Sequence, residues 1–489
     1  MSRPAAEGPG RVPHRRGSAP ATGRCVGRRR YCGPVAGFDW AGLERDLTAA
    51  LVRAVSSVIA AHPDERCYAA ALWLLYRESD GPIRFPLLAA NTVEALQRAP
   101  AEDRDDLRWS PADWDHGDID WLSDEDGGRW ERDLAAHACR GTPAQWDAAF
   151  RRFVTALVTA CRRARRELRR DLVVVVIDDE LHETVIPRIL PAAEVRRHFP
   201  ELDEQAAAWA ALAALPPAEQ AAHLVGLLDT CDGPITREPA ERALRDLGPV
   251  AIPALIPLLA VPGAAWQAAK ILADIGRPDG DVVTALTAAV SRTAGSDQSW
   301  VAAALARLGR LDVVLAAPLP TDVVVTAAAA PYVSFRDHTV APPPLDYTPL
   351  VRVLEERPDV AAGLEEELAP GAGMCEIHAG EVDEAVRGTE SPHPVVRRHA
   401  VTVLGERRLG TAVGRRVLPV LARLAVDDPD ALVRRLAVVG LSFWGRPALA
   451  HLDAGRSATQ DLDPTVRRAA TAWLRDAMAS APNSSQPNR

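Results

Sequence analysis

Residues 178–183 bring together side chains that could bind a metal ion or transfer protons. The segment reads Asp-Asp-Glu-Leu-His-Glu and follows a run of apolar residues. Paired carboxylates beside a histidine are common metal ligands and acid–base groups. The segment lacks the His-Glu-x-x-His spacing that places two ligands on one helix face. We therefore interpret it as charged residues at the end of a strand.

Seven carboxylates between residues 113 and 126 could in principle bind calcium. No starting position yields the alternating ligands, central glycine and closing glutamate of an EF-hand loop. The seven cysteines are scattered without a Cys-x-x-Cys pair, and no phosphate-binding glycine loop or Gly-x-Ser-x-Gly motif is present. We predict no catalytic residue, no metal and no cofactor, and hence a protein that is not an enzyme.

Two tryptophans, Trp109 and Trp114, flank the motif Arg108-Trp-Ser-Pro-Ala-Asp-Trp114. Large aromatic rings around a turn could frame a ligand pocket or an interface hot spot. A capped turn explains the same residues, because Ser110 can cap a helix that begins with Pro111. We favour the capped turn and keep both tryptophans as candidate binding residues.

A sequence motif that contains a proline and the tripeptide Val-Arg-Arg occurs three times near the C-terminus. Its valines are Val396, Val433 and Val466, at intervals of 37 and 33 residues, which is the length of a helical-hairpin repeat. Stacked hairpins form extended surfaces more often than closed pockets. The pattern therefore favours binding over catalysis.

The two arginines of each copy of this motif are predicted to have different roles. We predict that the first of each pair joins a structural ladder with helix-end carbonyls and with a carboxylate of the neighbouring loop, which could be Asp428, Asp430, Asp461 or Asp463. The ladder comprises Arg397, Arg434, Arg467, Asp428 and Asp463. The second of each pair is a candidate binding residue for an acidic partner or a nucleic-acid backbone, because residues 391–476 hold 14 arginines against 8 acidic residues. These candidates are Arg398, Arg435 and Arg468.

Helical periodicity and β-branched runs predict the elements that position these residues. We expect a helix over Trp40–Ala61, strands over Cys67–Tyr76 and Ile83–Leu88, and a helix after a capping box of Asn91 and Glu94. A long helix over 146–168 should lead into a buried strand at 172–177. Strand signals nearly vanish after residue 205, where Leu-x-x-Leu/Ile-Gly helix ends recur.

Residues of about 210–478 resemble HEAT-like repeats. The resemblance rests on the motif Asp463-Pro-Thr-Val-Arg-Arg-Ala-Ala470 and its two other copies. The resemblance implies paired antiparallel helices stacked into a right-handed solenoid that is used mainly for protein binding. Some bacterial HEAT-like proteins are similar to chromophore lyases, and others to DNA repair proteins. An enzyme or a nucleic-acid-binding protein is therefore the alternative.

Residues 38–200 resemble a bacterial family of domains of unknown function, number 4303. The resemblance rests on His62-Pro-Asp-Glu-x-x-Tyr68, Asn91-Thr-x-Glu-x-Leu96 and the Trp109/Trp114 motif. It implies a fold without established chemistry. We add the hypothesis of an immunity-type or regulatory binding role.

The predicted fold class is multidomain, with an α+β domain followed by an all-α HEAT-like solenoid. We divide the chain into a disordered arm (1–36), the α+β domain (38–204), a first repeat block (205–317), a Pro-rich insertion or irregular repeat (318–349), a second block (350–478) and a disordered tail (479–489).

The net charge of −9 attracts neither nucleic acid nor an anionic membrane globally, and no apolar segment is typical of secretion or membrane spanning. Lys270 is the only lysine, so almost all basic residues are arginines, as in proteins from GC-rich bacterial genomes. We expect a cytoplasmic bacterial scaffold with an unknown protein partner and no membrane partner.

Overall fold

The computed structural model describes residues 38–77, 83–138, 143–168, 171–371, 373–406 and 409–480. The predicted N-terminal arm lies outside these ranges, as does the tail from residue 481. Within them the chain is mostly helical, with a small sheet near the N-terminal end.

The N-terminal elements alternate helices and short strands. They are α1 (Trp40–Ala61), β1 (Cys67–Trp73), β2 (Leu87–Thr92), α2 (Val93–Arg98), α3 (Arg104–Leu107), β3 (His116–Ile119), α4 (Asp124–Ala138), α5 (Pro143–Leu168), β4 (Val173–Ile177), α6 (His182–Ile189), α7 (Ala192–His198) and α8 (Pro200–Ala213).

Helix α1 matches its predicted bounds. Asp39 caps it, because its side chain accepts a hydrogen bond of 2.8 Å from the Gly42 N–H. Leu43, Leu47 and Leu51 recur at helical spacing and are fully buried. They form the face that packs on α5, so burial of this apolar stripe stabilises the helix.

The sheet has the order β3-β2-β1-β4. Strands β1 and β2 pair antiparallel, as do β2 and β3, whereas β1 pairs with β4 in parallel. A parallel pair needs a crossover connection, and α5 directly precedes β4 and packs on it. The four valines of β4 are buried, as predicted for a strand between polar borders.

Two local predictions in this domain need correction. The partner of β1 is β2 at Leu87–Thr92, which overlaps the expected strand Ile83–Leu88 only at Leu87 and Leu88, whereas Ile83 forms an isolated bridge with Arg77. Thr92 rather than Asn91 caps α2, because the Thr92 hydroxyl accepts the Ala95 N–H at 3.0 Å. Asn91 lies within the strand and donates to the Tyr68 hydroxyl instead.

Helices dominate from residue 217 onward. They are α9 (Pro217–Val225), α10 (Arg237–Leu247), α11 (Ile252–Leu255), α12 (Ala265–Ile275), α13 (Gly280–Val290), α14 (Gly295–Arg307), α15 (Leu311–Ala316), α16 (Thr321–Ala329), α17 (Thr348–Glu356), α18 (Ala361–Glu367), α19 (Val382–Gly388), α20 (Pro394–Leu404), α21 (Gly410–Asp427), α22 (Ala431–Trp444), α23 (Leu452–Ala458) and α24 (Pro464–Ser480).

Alternate helices pack on each other along this region. Helix α12 packs on α14 and α14 on α16, and α20 likewise packs on α22. At the last crossing, Gly405 and Gly440 meet so closely that a Cβ on Gly405 would lie 3.0 Å from the Gly440 Cα. The absence of side chains at both positions therefore sets the separation of these helices.

The Pro-rich segment 318–349 is only partly irregular. It contains α16, which packs on α14 and α18, followed by short 3-10 turns at Ala330–Tyr332 and Ser334–His338. Val333 forms an isolated antiparallel bridge with Met374. Tyr332 and Tyr347 are buried here and join the apolar core of the helical region.

Two clusters of buried apolar side chains fill the described chain, one from Leu43 to Leu202 and the other from Leu212 to Trp473. Helix α8 contributes Leu202 to the first cluster and Leu212 to the second. The predicted domain boundary at 204–205 therefore falls inside this helix.

By length and composition alone, Arg237–Ala260 is apolar enough to cross a membrane, and among the described residues it is the one such stretch. A core segment passes the same test. The stretch is broken into α10, α11 and 3-10 turns, and Leu244, Leu255 and Leu259 lie in the core.

Candidate functional site

The first arginine of the Val-Arg-Arg motif makes similar contacts in successive copies of the motif. Arg397 forms a two-bond ion pair with Asp428, with distances of 2.9 and 3.1 Å, and both side chains are buried. Arg434 repeats the arrangement one unit further with Asp461, at 2.6 and 2.9 Å. Each guanidinium also donates to carbonyls of its own loop, and Arg467 does the same with the carbonyls of Asp461 and Leu462.

Asp463 has a different role from the one predicted. Arg434 pairs with Asp461, whereas Asp463 accepts hydrogen bonds from the backbone N–H and the hydroxyl of Thr465, at 2.7 and 2.6 Å. The first aspartate of the Asp-Leu-Asp sequence thus faces the preceding unit, and the second stabilises the start of α24.

The second arginines do not form a uniform row of available cations. Arg398 forms an ion pair with Asp430 at 2.6 Å and lies 3.4 Å from Glu365, so its charge is engaged within the protein. Arg435 is half-buried, whereas Arg468 is exposed and lines a shallow depression on α24 with Arg467 and Arg475. Of the three second arginines, Arg468 is the one that lies in an exposed group of arginines around this depression.

Trp109 and Trp114 lie around Tyr68, with ring centroids 5.9 and 6.4 Å from it. Trp114 is buried and donates from its indole N–H to the Leu107 carbonyl at 3.0 Å. Trp109 packs on Phe199 at 4.5 Å. These contacts place both rings within the N-terminal domain, where they hold the turn against β1.

The acidic segment after β4 is engaged in ion pairs. Arg77 pairs with Glu180 and lies 4.0 Å from Asp178. Burial raises the pKa of Asp178, and Arg77 opposes this change. The His182 Nδ1 hydrogen-bonds with the Asp178 carbonyl at 2.9 Å. The segment connects to β1 through Arg77 and does not converge on a reacting centre.

An aromatic row on three successive units was not predicted. Trp266 of α12 lies 6.1 Å from Trp300 of α14, and Trp300 lies 5.1 Å from Phe335. His338 extends the row, 6.2 Å from Phe335. Both tryptophans are half-buried, and Phe335 is 41% exposed. We call these four residues the aromatic row.

Asp297 fixes the start of this row. Its carboxylate accepts the backbone N–H groups of Gly263 and Trp266, at 2.7 and 3.0 Å, and so ties α14 to the loop before α12. Lys270 lies one turn after Trp266, and its ammonium group pairs with Glu241 of α10. The helices that carry the rings are therefore joined by polar contacts as well as by packing.

A cavity of about 380 Å³ is lined by residues of α14, of the turn Ser334–His338 and of the segment before α17. The turn Ser334–His338 places Phe335 in the row and Arg336 in the cavity wall. Arg336 is buried and bonds to Glu381, the Glu376 carbonyl and the Pro343 carbonyl. Further lining residues are Arg307, Tyr332, Thr339, Pro344, Leu345 and Asp346.

A buried hydrogen-bonded group of Tyr347 and His399 contacts Tyr332 of the cavity wall. The Tyr347 hydroxyl lies 2.7 Å from the His399 Nδ1, and the His399 Nε2 lies 2.8 Å from the Tyr332 carbonyl. Because a carbonyl only accepts, Nε2 carries the proton and Nδ1 accepts from the tyrosine. Burial lowers the pKa of His399 to about 4.

Cys375 lies 3.8 Å from the His399 Nε2. Burial raises the pKa of the Cys375 thiol to about 12, so the thiol stays protonated. A catalytic cysteine needs a lowered pKa and a neighbouring positive charge that stabilises the thiolate. This pair is therefore a packing feature, and it does not form a nucleophile with its base.

The fold and contacts define a small α+β domain joined to a HEAT-like helical region. Residues 382–475 match the model of the HEAT repeat family, and residues 47–189 match that of the domain of unknown function DUF4303. Both predicted resemblances are thereby confirmed, although the repeat match begins well after residue 210. The chain matches no curated protein.

A structure of human deoxyhypusine hydroxylase in complex with glycerol is similar to part of the chain. The two are 19% identical, and the match covers 54% of this chain and 97% of the other, with a TM-score of 0.23. At this TM-score the likeness carries no argument about fold or function.

Proposed function

We propose that the chain is a bacterial cytoplasmic protein-binding scaffold without catalytic activity, and that its partner binds across the aromatic row. The repeats would stack as a HEAT-like solenoid and present this surface. The observation that carries the proposal is the alignment of Trp266, Trp300 and Phe335 on successive units with one side exposed.

Exposed aromatic rings on a rigid framework are typical of interface hot spots. They bury a large apolar area on binding and lose little side-chain entropy. The cavity that Arg336 lines could accept one anchoring side chain of an extended segment of the partner. Many small contacts on a preorganised surface then provide the affinity, because little ordering remains to be done upon binding.

The aromatic row is preferred to the arginine row as the binding surface. Arg397 and Arg434 are held by Asp428 and Asp461, and Arg398 is held by Asp430. A nucleic-acid site needs cations that are available to phosphates. The exposed arginines of α24 supply a short patch of this kind.

An affinity purification from native bacterial cytosol tests the proposal. The bait would be the full chain, the Trp300→Ala/Phe335→Ser variant and the control variant Phe443→Ser, with and without nuclease. Phe443 is a matched control because it is 61% exposed on α22, away from the row. We expect a protein partner that the full chain and the control retain and that the double variant loses.

Two outcomes would contradict this function. Recovery of nuclease-sensitive material alone would favour the nucleic-acid alternative through α24. Equal recovery of the partner by wild type and double variant would exclude the aromatic row as the binding surface. Circular dichroism of the double variant separates a lost contact from a lost fold.

A further inference from the structure

His62, Glu65 and His116 converge on one point at the edge of the N-terminal sheet. One ligand atom from each lies within 4.8 Å of those of the other two. The rings of His62 and His116 are 4.3 Å apart, and the His116 Nε2 is 3.9 Å from the Glu65 Oε2. We propose that these three side chains bind a Zn²⁺ ion, a property separate from the proposed scaffold function.

The backbone brings the three residues together from separate elements. His62 ends α1, and its carbonyl accepts the Glu65 N–H at 3.1 Å in the turn that follows. His116 begins β3 and pairs with Ala90 of β2. Strand β2 is in turn paired with β1, which starts just after Glu65. The site is thus anchored by a helix end and by two strand pairings.

The nature of the donors fits zinc. Imidazole nitrogen and carboxylate oxygen are ordinary Zn²⁺ ligands, and two histidines with one glutamate are a set that leaves a fourth position for water. Tetrahedral ligands around zinc are roughly 3.4 Å apart, so small side-chain rotations would close the group around the ion.

One candidate ligand atom, the His116 Nε2, is unsatisfied in its hydrogen bonding. The His116 Nε2 is buried and has no hydrogen-bond partner among the described residues, although it faces the Glu65 carboxylate. A buried imidazole nitrogen without a partner is unfavourable unless something satisfies it. A metal ion between His116 and Glu65 would satisfy it.

Thr92 and Arg98 hydrogen-bond to the Glu65 carboxylate and orient it, as neighbouring residues commonly do for a metal ligand. The Thr92 hydroxyl donates to the Glu65 Oε2 at 2.6 Å, and Arg98 donates to the Glu65 Oε1 at 2.9 Å. Arg98 also pairs with Asp115 at 2.7 Å, so the group of Glu65, Asp115 and Arg98 keeps a net negative charge. Oε2 retains a lone pair for a cation.

Zinc binding to the untagged full chain tests the proposal. After removal of metal with a chelator, the chain would be titrated with Zn²⁺ against a chromophoric chelator, together with His62→Ala, His116→Ala and the control His223→Ala. His223 is an exposed histidine on α9. We expect one equivalent of tightly bound zinc in wild type and control, and binding at least ~100-fold weaker in the two ligand variants.

A second measurement keeps the result independent of folding. His62 lies outside the sheet, so His62→Ala should retain the native circular dichroism. Zinc should raise the melting temperature of wild type and leave that of His62→Ala unchanged. Stoichiometric zinc binding that survives both ligand substitutions, or no stoichiometric binding in wild type, would overturn the proposal.

Discussion

His399 is enclosed by two tyrosines and a cysteine and is completely buried. It holds α20 to the turn at Tyr332 and to the segment before α17 through its two ring nitrogens. The neutral ring serves both bonds, whereas the protonated ring would bury a charge and lose its acceptor for the Tyr347 hydroxyl. Its ionisation is therefore linked to unfolding.

We expect His399 to destabilise the fold in mild acid. The pKa is about 4 in the folded chain and near 6.5 in the unfolded chain, so between these values the unfolded chain binds more protons. The stability that the neutral His399 ring contributes is fully present above pH 6.5 and is lost as the pH falls to 4. The free energy of unfolding should decrease by roughly 3 kcal/mol over this range. Urea unfolding at several pH values would measure it.

The variant His399→Gln isolates this contribution. Its free energy of unfolding should depend less steeply on pH between 4 and 6.5 than that of wild type, whatever its absolute stability. Equal slopes in the two proteins would show that His399 does not titrate in this way. His223→Gln serves as a control, because it removes an exposed histidine on α9.

At the scale of elements, the paired Arg and Asp residues connect successive helical units. Arg397 lies in the first turn of α20, and its partner Asp428 follows the last residue of the next helix, α21. Because both side chains are buried, the pair is a specific connection between units, and its net contribution depends on both partners being present.

Asp428→Ala should destabilise the chain by about 3–5 kcal/mol, because it leaves the Arg397 guanidinium buried without its carboxylate. Asp383→Ala removes an exposed pair with Arg416 in the same region and should cost at most about 1 kcal/mol. Chemical denaturation measures both values. Equal effects of the two substitutions would contradict a special role for the buried pair.

Much at this scale was predictable from local pattern. The bounds of α1, the buried valine strand and the Arg397 and Arg434 ladder all follow from periodicity and repeated spacing. The cap of α2 was misassigned because Asn91 and Thr92 are both capping residues, and strand pairing with β1 fixes which one lies at the helix start. Asp463 was misassigned because two aspartates stand two residues apart.

The candidate sites were harder to predict, since they depend on tertiary contacts. Trp266, Trp300 and Phe335 are separated by 34 and 35 residues, which is the repeat interval, so a search for aromatic residues at that spacing could have found them. His116 lies 51 residues beyond Glu65, and only the pairing of β1, β2 and β3 brings the two together.

At the scale of the whole molecule, two apolar cores meet along one helix. Leu202 and Leu212 of α8 belong to different cores, and Ala207 lies exposed between them. An uninterrupted helix transmits the loss of order in one core to the other. The boundary between the domains is therefore a shared element and not a flexible linker.

Ala207→Pro should uncouple the two cores. Proline within a helix costs about 3 kcal/mol or more, and at this exposed position it removes no packed side chain. We expect thermal unfolding, followed by circular dichroism and calorimetry, to separate into two transitions. Ala207→Gly, which costs about 1 kcal/mol, should keep the wild-type profile. A single unchanged transition in the proline variant would show that α8 does not couple the cores.

The position of Lys270 has a practical consequence. Because it is the only lysine and lies one turn from Trp266, it is the one side chain that an amine-reactive fluorophore would label, once the α-amino group of the chain has been blocked. Its pairing with Glu241 would slow the labelling without preventing it, since the side chain is 25% exposed. The natural sequence thus provides an optical reporter for any molecule that covers the row, without the introduction of a cysteine or a tag.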